Sequence, residues 1–333
     1  MNASRRPILE LSELTCSFGA GGFSLLPRPA DITVVDGVSL SIDRGEIVGL
    51  VGESGCGKST IAKAVIGLGR VEAKAMVFDQ IDIRASLGKR PRGLVRRIQY
   101  VFQDPLGALD PRRSVLYQVA EPLLMHRLAS PADARSRARD VLRDVNLGAE
   151  TEAKFPHELS GGQRQRVVIA RALVLEPELL ICDEPVSALD VSVQAQVVNL
   201  LRDLRDRRNL SMLFISHDLA IVRHLCDRVA VMYLGRLCEV GRTDALFSNP
   251  QHPYTKALIA AIPPSHPREA KEIVRLSGEP PSPSNPPSGC RFHPRCQLRE
   301  DACDRIVPEL EASAGGDHRV ACHLARPGGA ERC

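Results

Sequence analysis

A glycine-rich turn between an apolar run and a helical pattern is the stretch best suited to chemistry. It reads EIVGLVGESGCGKST over residues 46–60, and Ile47 to Val51 predict a buried strand. Glycines there let backbone N–H groups point at a phosphate, and the following helix adds its positive dipole end. A turn that binds nothing is the alternative, but the complete G-x-x-x-x-G-K-S spacing favours phosphate binding.

Individual side chains of this turn have predicted tasks in holding a nucleoside triphosphate. Lys58 would reach the β- and γ-phosphates, and the Ser59 hydroxyl would coordinate Mg²⁺. The predicted nucleotide-binding residues of the turn are Gly52, Glu53, Ser54, Gly55, Cys56, Gly57, Lys58, Ser59 and Thr60.

Polar side chains also follow three other predicted strands. Asp183 and Glu184 end the run ELLICDE, where Asp183 would hold Mg²⁺ and Glu184 would act as base or orient the attacking water. A simple surface pair is the alternative for these carboxylates. Gln103 could contact the metal and water, and His217 the γ-phosphate, although a lone histidine more often has a structural role.

A second helix start can receive an anion. Ser160 is the predicted N-cap of a helix, and Gly161 and Gly162 leave backbone N–H groups exposed beside it. Strands followed by helices, with polar residues where the strands end, indicate a mostly parallel α/β sheet. Short runs over residues 8–45 predict an antiparallel layer before it, and residues 115–147 predict an Arg-rich helical subdomain.

Length and composition limit the classes of function. At 333 residues the chain is long enough for about two domains, and its net charge of +4 is too small to indicate nucleic acid. No apolar run approaches the roughly 20 residues of a membrane span, and the N-terminus lacks a signal-peptide core. We therefore expect a soluble, cytoplasmic protein whose ten cysteines are reduced or bind metal.

Six motifs in order resemble those of the ATP-binding subunits of ABC transporters, over residues 8–262. GESGCGKST resembles Walker A, Gln103 the Q-loop glutamine, LSGGQ the family signature, LLICDE Walker B, SALD the D-loop, and His217 the switch histidine. The resemblance implies a P-loop ABC nucleotide-binding domain with a RecA-like core, an antiparallel β layer and a helical subdomain. It also implies that Phe18 stacks on adenine, whereas residue type alone favours a packing anchor.

The resemblance further implies a head-to-tail dimer, in which the signature of one subunit closes on the ATP held by the other. Ser160, Gly161, Gly162, Gln163 and Asp190 would contact that ATP, and a second ATPase subunit, identical or related, is required. Two membrane permease subunits and an extracytoplasmic substrate-binding protein complete the implied importer, with this chain peripheral on the cytoplasmic face. A soluble ABC ATPase of DNA repair or translation is the competing class, but neither paired cassettes nor long inserted arms are visible.

The C-terminal part resembles the extension of oligopeptide, dipeptide and nickel importer ATPases, in NPQHPYTKALIAAIP at 249–263 and in residues 289–323. The segments FQDP and SGGQRQR are more similar to those of the F-type subunit than to those of the D-type subunit. Uptake of oligopeptides or dipeptides is the function implied, and nickel or another small solute is the alternative, since the permease and binding protein choose the substrate.

Four cysteines near the end form a possible cofactor site. Their spacing is C-x5-C-x6-C-x18-C, over Cys290, Cys296, Cys303 and Cys322. These loops are wider than usual for zinc, so a 4Fe–4S cluster is expected, with zinc or unligated thiols as alternatives. His293, His318 and His323 are alternative ligands, and a redox or iron sensor is a further possibility.

The chain is expected to divide into three parts: an ATP-binding domain over 1–263 with its helical subdomain at about 104–165, a proline-rich linker over 264–289, and a cysteine-rich extension over 290–333. Two features depart from the family pattern. The hairpin turn near Gln80 lacks glycine, and GAGGFSLLPRPAD resembles an insertion.

Overall fold

The computed structural model describes residues 6–18, 32–84, 91–262, 278–313 and 317–325. The chain forms two compact units that alternate along the sequence. Unit 1 comprises residues 1–9, 41–47 and 78–216, and unit 2 comprises residues 10–40, 48–77 and 217–333. The predicted insertion and the predicted boundary after residue 263 both lie outside the described residues.

Unit 1 contains three parallel strands surrounded by helices. The strands are β7 (Ile98–Val101), β8 (Leu179–Asp183) and β9 (Ser211–Ser216), and β8 pairs with both of the others. Every residue of β8 and β9 is buried, which explains the continuous apolar runs of the sequence. Because the strands are parallel, the carboxyl ends of β7 and β8 lie at one edge of the sheet, and Gln103 and Glu184 follow them there.

The helices of unit 1 include the predicted helical region over residues 115–147 and the helix predicted to begin after Ser160. They are α2 (Arg92–Arg97), α3 (Pro105–Ala108), α4 (Val115–Met125), α5 (Pro131–Asp144), α6 (Gly161–Leu173) and α7 (Val191–Arg208). Helices α4, α5 and α6 pack against one another, as expected of a helical subdomain. The short strand β6 (Ile81–Asp82) also belongs to this unit.

Most of the antiparallel layer and of the phosphate strand lies in unit 2. In the layer, β2 (Ile32–Asp43), β1 (Pro7–Phe18) and β5 (Ala75–Phe78) lie side by side, and β4 (Arg70–Glu72) pairs antiparallel with β1. Next to the phosphate strand β3 (Ile47–Val51) runs β10 (Arg228–Tyr233), which is parallel to it.

The cysteine-rich extension continues the sheet of unit 2. Beyond β10 lies β11 (Arg236–Arg242), followed by β13 (Arg319–Val320) and β12 (Glu311–Ala312), all antiparallel to their neighbours. Pairing of β13 with β11 was not predicted from the sequence, because the extension is poor in apolar residues. The helices of unit 2 are α1 (Lys58–Val65), α8 (Leu219–Leu225), α9 (Thr243–Ser248) and α10 (Pro253–Ala260). In the part of the chain that the structure describes, no helix is long and apolar enough to cross a bilayer.

The turn without glycine between β5 and β6 has a left-handed backbone at both central residues. Asp79 has φ of 45° and Gln80 has φ of 66°, which is the pattern of a type I′ hairpin turn. A glutamine in this conformation is strained, whereas aspartate tolerates it better. The missing glycine at Gln80 therefore leaves the turn geometry intact at a cost in stability.

We expect Gln80→Gly to raise the free energy of unfolding by about 1 kcal/mol, since glycine adopts positive φ without steric cost. Urea denaturation of the two proteins measures the change. The control is Gln80→Ala, which keeps the Cβ atom and the strain, and equal stabilisation by both substitutions would contradict the explanation.

Candidate functional site

The predicted phosphate turn connects β3 to α1 in unit 2. Lys58 is 4% exposed, and its Nζ donates to the carbonyl oxygens of Gly52 (2.8 Å) and Glu53 (2.9 Å). The N-cap of α1 is Gly57, with φ of 110°, and no side chain caps this helix. A buried ammonium group beside an uncapped helix start fits the phosphates of a nucleotide.

Close packing on one side and open space on the other explain the glycines of the turn. A Cβ atom at Gly52 would lie 2.1 Å from the carbonyl oxygen of Met232, whereas a Cβ atom at Gly55, where φ is 77°, would have no atom within 4 Å. Cys56 is buried, with its Sγ 3.9 Å from Lys58 Nζ, and burial raises the pKa of this thiol. One side of the turn backbone therefore packs against β10, and the other side is open.

Phe18 lies where an aromatic ring could stack on a base near this turn. Its side chain is 49% exposed, and it lines a shallow cavity with Thr60 and Lys63. Phe18 is the last residue described before the insertion-like segment, which is outside the described residues. Its exposure beside the first turn of α1 fits the predicted contact with adenine.

Asp183 ends β8 in unit 1 and is held by a tyrosine that the sequence analysis missed. Asp183 is 5% exposed, and the hydroxyl of Tyr100 on β7 donates to its Oδ2 at 2.6 Å. Burial and this hydrogen bond raise the pKa of Tyr100, so the phenol stays protonated and donates. The ring of Tyr100 packs on Phe102 at 4.5 Å. A carboxylate oriented by a donor is typical of metal ligands, which fits the predicted Mg²⁺ role of Asp183.

We expect Tyr100→Phe to raise the Mg²⁺ concentration needed for half-maximal ATP hydrolysis by about tenfold, because a lost orienting bond weakens metal binding. The protein should remain folded, since the ring that packs on Phe102 is kept. Titration of the hydrolysis rate with Mg²⁺ measures the effect.

Tyr117→Phe is the matched control, because this tyrosine of α4 is 39% exposed and its ring lies under Arg113. The control should titrate like the unaltered protein. Identical Mg²⁺ titrations for Tyr100→Phe and the unaltered protein would contradict a role for the hydroxyl.

Gln103 and Glu184 come together in unit 1, as the order of the motifs predicts. The Nε2 of Gln103 donates to Oε2 of Glu184 at 3.1 Å. Glu184 has φ of 47°, an uncommon conformation for glutamate, and its N–H group donates to the carbonyl oxygen of Ile215 at 3.0 Å. Strained backbone of this kind is concentrated at functional sites, so the position of Glu184 fits that of a catalytic carboxylate.

The signature segment begins a helix as predicted. Ser160 caps α6: its hydroxyl accepts from the N–H group of Gln163 at 3.3 Å, and its own N–H group donates to Oε1 of Gln163 at 3.0 Å. A Cβ atom at Gly162 would lie 2.4 Å from Cγ1 of Val193, so close packing requires this glycine. Asp190 is the N-cap of α7 and is exposed, as are Ser160 and Gly161.

His217, in unit 2, directly follows β9 in the chain, and its side chain is exposed. The next residue, Asp218, caps α8 by accepting from the N–H groups of Ala220 (2.8 Å) and Ile221 (3.3 Å). The position of His217 is therefore set by a strand end on one side and a capped helix on the other.

The four cysteines of the extension line one small cavity. Burial raises the pKa of Cys290 to about 11, and it also raises the pKa of Cys296 and Cys322. Among the described residues, no group of three or more His, Cys, Asp or Glu side chains is placed to hold a metal ion. The cavity thus gathers the thiols without presenting the compact ligand set of a single ion.

The three histidines of the extension named as alternative ligands each have a partner for one ring nitrogen. His293 Nδ1 bonds the carbonyl oxygen of Cys290 at 3.0 Å, and His323 Nε2 that of Ile306 at 2.9 Å. His318 Nε2 lies 2.7 Å from Oε1 of the buried Glu239. His293 and His323 line the same cavity as the cysteines, and each bond occupies only one ring nitrogen, so these histidines stay alternative ligands.

Two protein-family models match this chain, one in its ATP-binding part and one near its C-terminus. A model described as ABC transporter matches residues 35–187, and one described as oligopeptide/dipeptide transporter, C-terminal region, matches residues 238–303. The second match includes most of β11, all of α10 and the first three cysteines of the extension.

Two relatives match almost from end to end. The oligopeptide transport ATP-binding protein OppF of Salmonella typhimurium is 46% identical over 98% of this chain and 100% of its own length. The oligopeptide transport ATP-binding protein AppF of Bacillus subtilis is 45% identical over 97% of this chain and 98% of its own.

Solved structures confirm the predicted fold of the ABC nucleotide-binding domain. The cbiO1 structure from Clostridium perfringens, part of the ABC transporter complex cbiONQ, has a TM-score of 0.62 at 30% identity and covers 73% of this chain and 91% of its own. The cassette MJ0796, bound to ADP and Pi, has a TM-score of 0.61 at 27% identity. The match covers 71% of this chain and 98% of the MJ0796 chain.

Proposed function

We propose that this chain, which belongs to the ABC transporter family of ATP-binding proteins, is the ATP-hydrolysing subunit of an importer of oligopeptides or dipeptides. The observation that carries this proposal is the end-to-end similarity to OppF and AppF, which extends through the C-terminal region. The phosphate turn, the capped signature helix and the paired Gln103 and Glu184 supply the parts that ATP hydrolysis needs.

The residues would act on ATP and Mg²⁺ in complementary ways. Lys58 and the turn N–H groups would bind the phosphates, and Ser59 and Asp183 would hold the metal, with Gln103 close to it. Bound Mg²⁺ supplies charge neutralisation of the phosphates. Glu184 would accept a proton from the attacking water, His217 would contact the γ-phosphate, and Phe18 would stack on the base.

The chain would work in a larger assembly. Ser160, Gly161, Gly162, Gln163 and Asp190 would complete the site of a second ATPase subunit, identical or related, in a head-to-tail dimer. Two membrane permease subunits would provide the channel, and an extracytoplasmic binding protein would deliver the peptide. In such an assembly the chain would lie at the cytoplasmic face of the membrane. We also propose that the chain is divided into an ATP-binding domain over 1–263, a proline-rich linker over 264–289 and a cysteine-rich extension over 290–333.

The four cysteines are proposed to hold a 4Fe–4S cluster. The observation behind it is that all four cysteines line one small cavity, since four thiolates are the usual ligands of such a cluster. Anaerobic purification followed by analysis of iron, zinc and acid-labile sulfide tests it. About four irons and four sulfides per chain are expected; zinc without sulfide, or no metal, would contradict the cluster.

Co-purification tests the importer function. The Glu184→Gln protein, with ATP present, serves as bait from a membrane fraction, and partners are identified by mass spectrometry. We expect a pair of permeases and a related ATPase. An exposed substitution, Glu150→Gln, is the control that should not trap the ATP-bound assembly. Recovery of ribosomes or DNA-repair factors, or of no membrane protein, would contradict a transport function.

A further inference from the structure

Glu53, the second residue of the phosphate turn, has all of its polar groups bound within unit 2. Its N–H group donates to the hydroxyl oxygen of Tyr254 at 2.9 Å, and its carbonyl oxygen accepts from Lys58 Nζ. Its carboxylate receives two hydrogen bonds from Arg295, at 2.8 and 3.1 Å. One residue of the turn is therefore held by the lysine of the same turn, by α10 and by the cysteine-rich extension.

Arg295 is a buried cation within the extension, directly before Cys296. Its side chain is 6% exposed and also donates to the hydroxyl of Tyr233 at 3.3 Å. Burial lowers the pKa of Arg295, but the hydrogen bonds to Glu53 and Tyr233 raise it by more. The net shift is upward, so the guanidinium stays charged. An arginine–carboxylate pair with two hydrogen bonds and a buried arginine is geometrically specific and costly to break on one side.

An aromatic cluster fixes this pair in place. Phe292, three residues before Arg295, packs with its ring centroid 5.3 Å from that of Tyr233 and 5.4 Å from that of Tyr254. Phe292 is 3% exposed, and Tyr233 and Tyr254 are fully buried. The same short segment that contains two of the four cysteines thus packs on the tyrosines that bind Glu53 and Arg295.

We propose that Arg295 is a positioning residue of the nucleotide site, which holds the phosphate turn through Glu53 and makes nucleotide binding depend on the cysteine-rich extension. This inference rests on the proposed function only in requiring that the chain bind ATP. It assigns the extension a direct part in the ATPase, through a contact between residues 242 positions apart.

The charges explain why the pair matters for binding. A carboxylate in a phosphate-binding turn repels the phosphates, and Arg295 neutralises it. Removing Arg295 alone leaves the carboxylate without its cation and frees the turn to move. Removing both charges eliminates the repulsion, while two backbone bonds remain: the Glu53 N–H group still donates to Tyr254, and Lys58 still donates to the Glu53 carbonyl oxygen.

The experiment uses the full-length protein with MgADP as probe. Calorimetric titration measures affinity, and hydrogen exchange of residues 52–58 without nucleotide measures mobility of the turn. We expect Arg295→Gln to weaken MgADP binding about tenfold and to speed exchange, and the double variant Glu53→Gln with Arg295→Gln to recover affinity to within about threefold.

Arg291→Gln is the matched control, since Arg291 is a partly buried arginine of the same segment but binds Asp36 and the carbonyl oxygen of Leu234. Its MgADP affinity and turn exchange should stay within about twofold of the unaltered protein. Equal losses in both arginine variants, or no recovery in the double variant, would overturn the proposal. MgADP binding requires no permease, so failure of peptide transport would leave the result interpretable.

Discussion

Glu184→Gln is expected to lower the rate of ATP hydrolysis by a factor of about 10²–10⁴, the range of general-base catalysis. Glutamine has the same size and can keep the contact with Gln103, which now lies 3.1 Å from Glu184 Oε2. It cannot accept a proton from water. The backbone bond from Glu184 to Ile215 is unaffected, so the protein should fold and bind nucleotide normally.

Phosphate release and MgADP affinity, measured on the same preparations, separate catalysis from binding. A loss of rate with unchanged affinity identifies Glu184 as a catalytic residue. The control Glu150→Gln removes an exposed carboxylate of the same unit and should hydrolyse ATP at the unaltered rate. A Glu184→Gln protein with more than a tenth of the normal rate would exclude Glu184 as the base.

Gly52→Ala should destabilise the protein by more than about 3 kcal/mol and abolish nucleotide binding, because overpacking against backbone has no cheap relief. The added Cβ atom would lie 2.1 Å from the carbonyl oxygen of Met232 and 2.9 Å from Sγ of Cys56. The carbonyl belongs to β10, which is paired with β3 and cannot shift without disturbing the sheet.

Gly55→Ala tests whether the turn requires glycine because a Cβ atom would collide with a neighbour or because the backbone has a positive φ. At Gly55 the added Cβ atom meets nothing within 4 Å, and only the positive φ of 77° opposes it. We expect a loss of about 1 kcal/mol, the cost of a left-handed alanine, with MgADP binding retained. Urea denaturation and MgADP titration of both variants make the comparison, and equal effects would refute the role of the Met232 contact.

Features that depend on residues close together in the chain were predictable from the sequence. The turn from β3 into α1 requires glycines and a lysine within nine residues, and the cap of α6 requires Ser160 and Gln163 three residues apart. Buried parallel strands need unbroken apolar runs, so β8 and β9 were recognisable. Local propensity and hydrophobic pattern are sufficient for features of this kind.

Contacts between side chains that are far apart in the chain were not predictable from the sequence. Tyr100 reaches Asp183 because β7 pairs in register with β8, and Arg295 reaches Glu53 because the extension packs on the tyrosines of unit 2. Neither partner has a sequence signal, since an isolated Tyr or Arg has many possible roles. Such contacts are specified by the packing of whole elements, which brings together residues that are 83 and 242 positions apart.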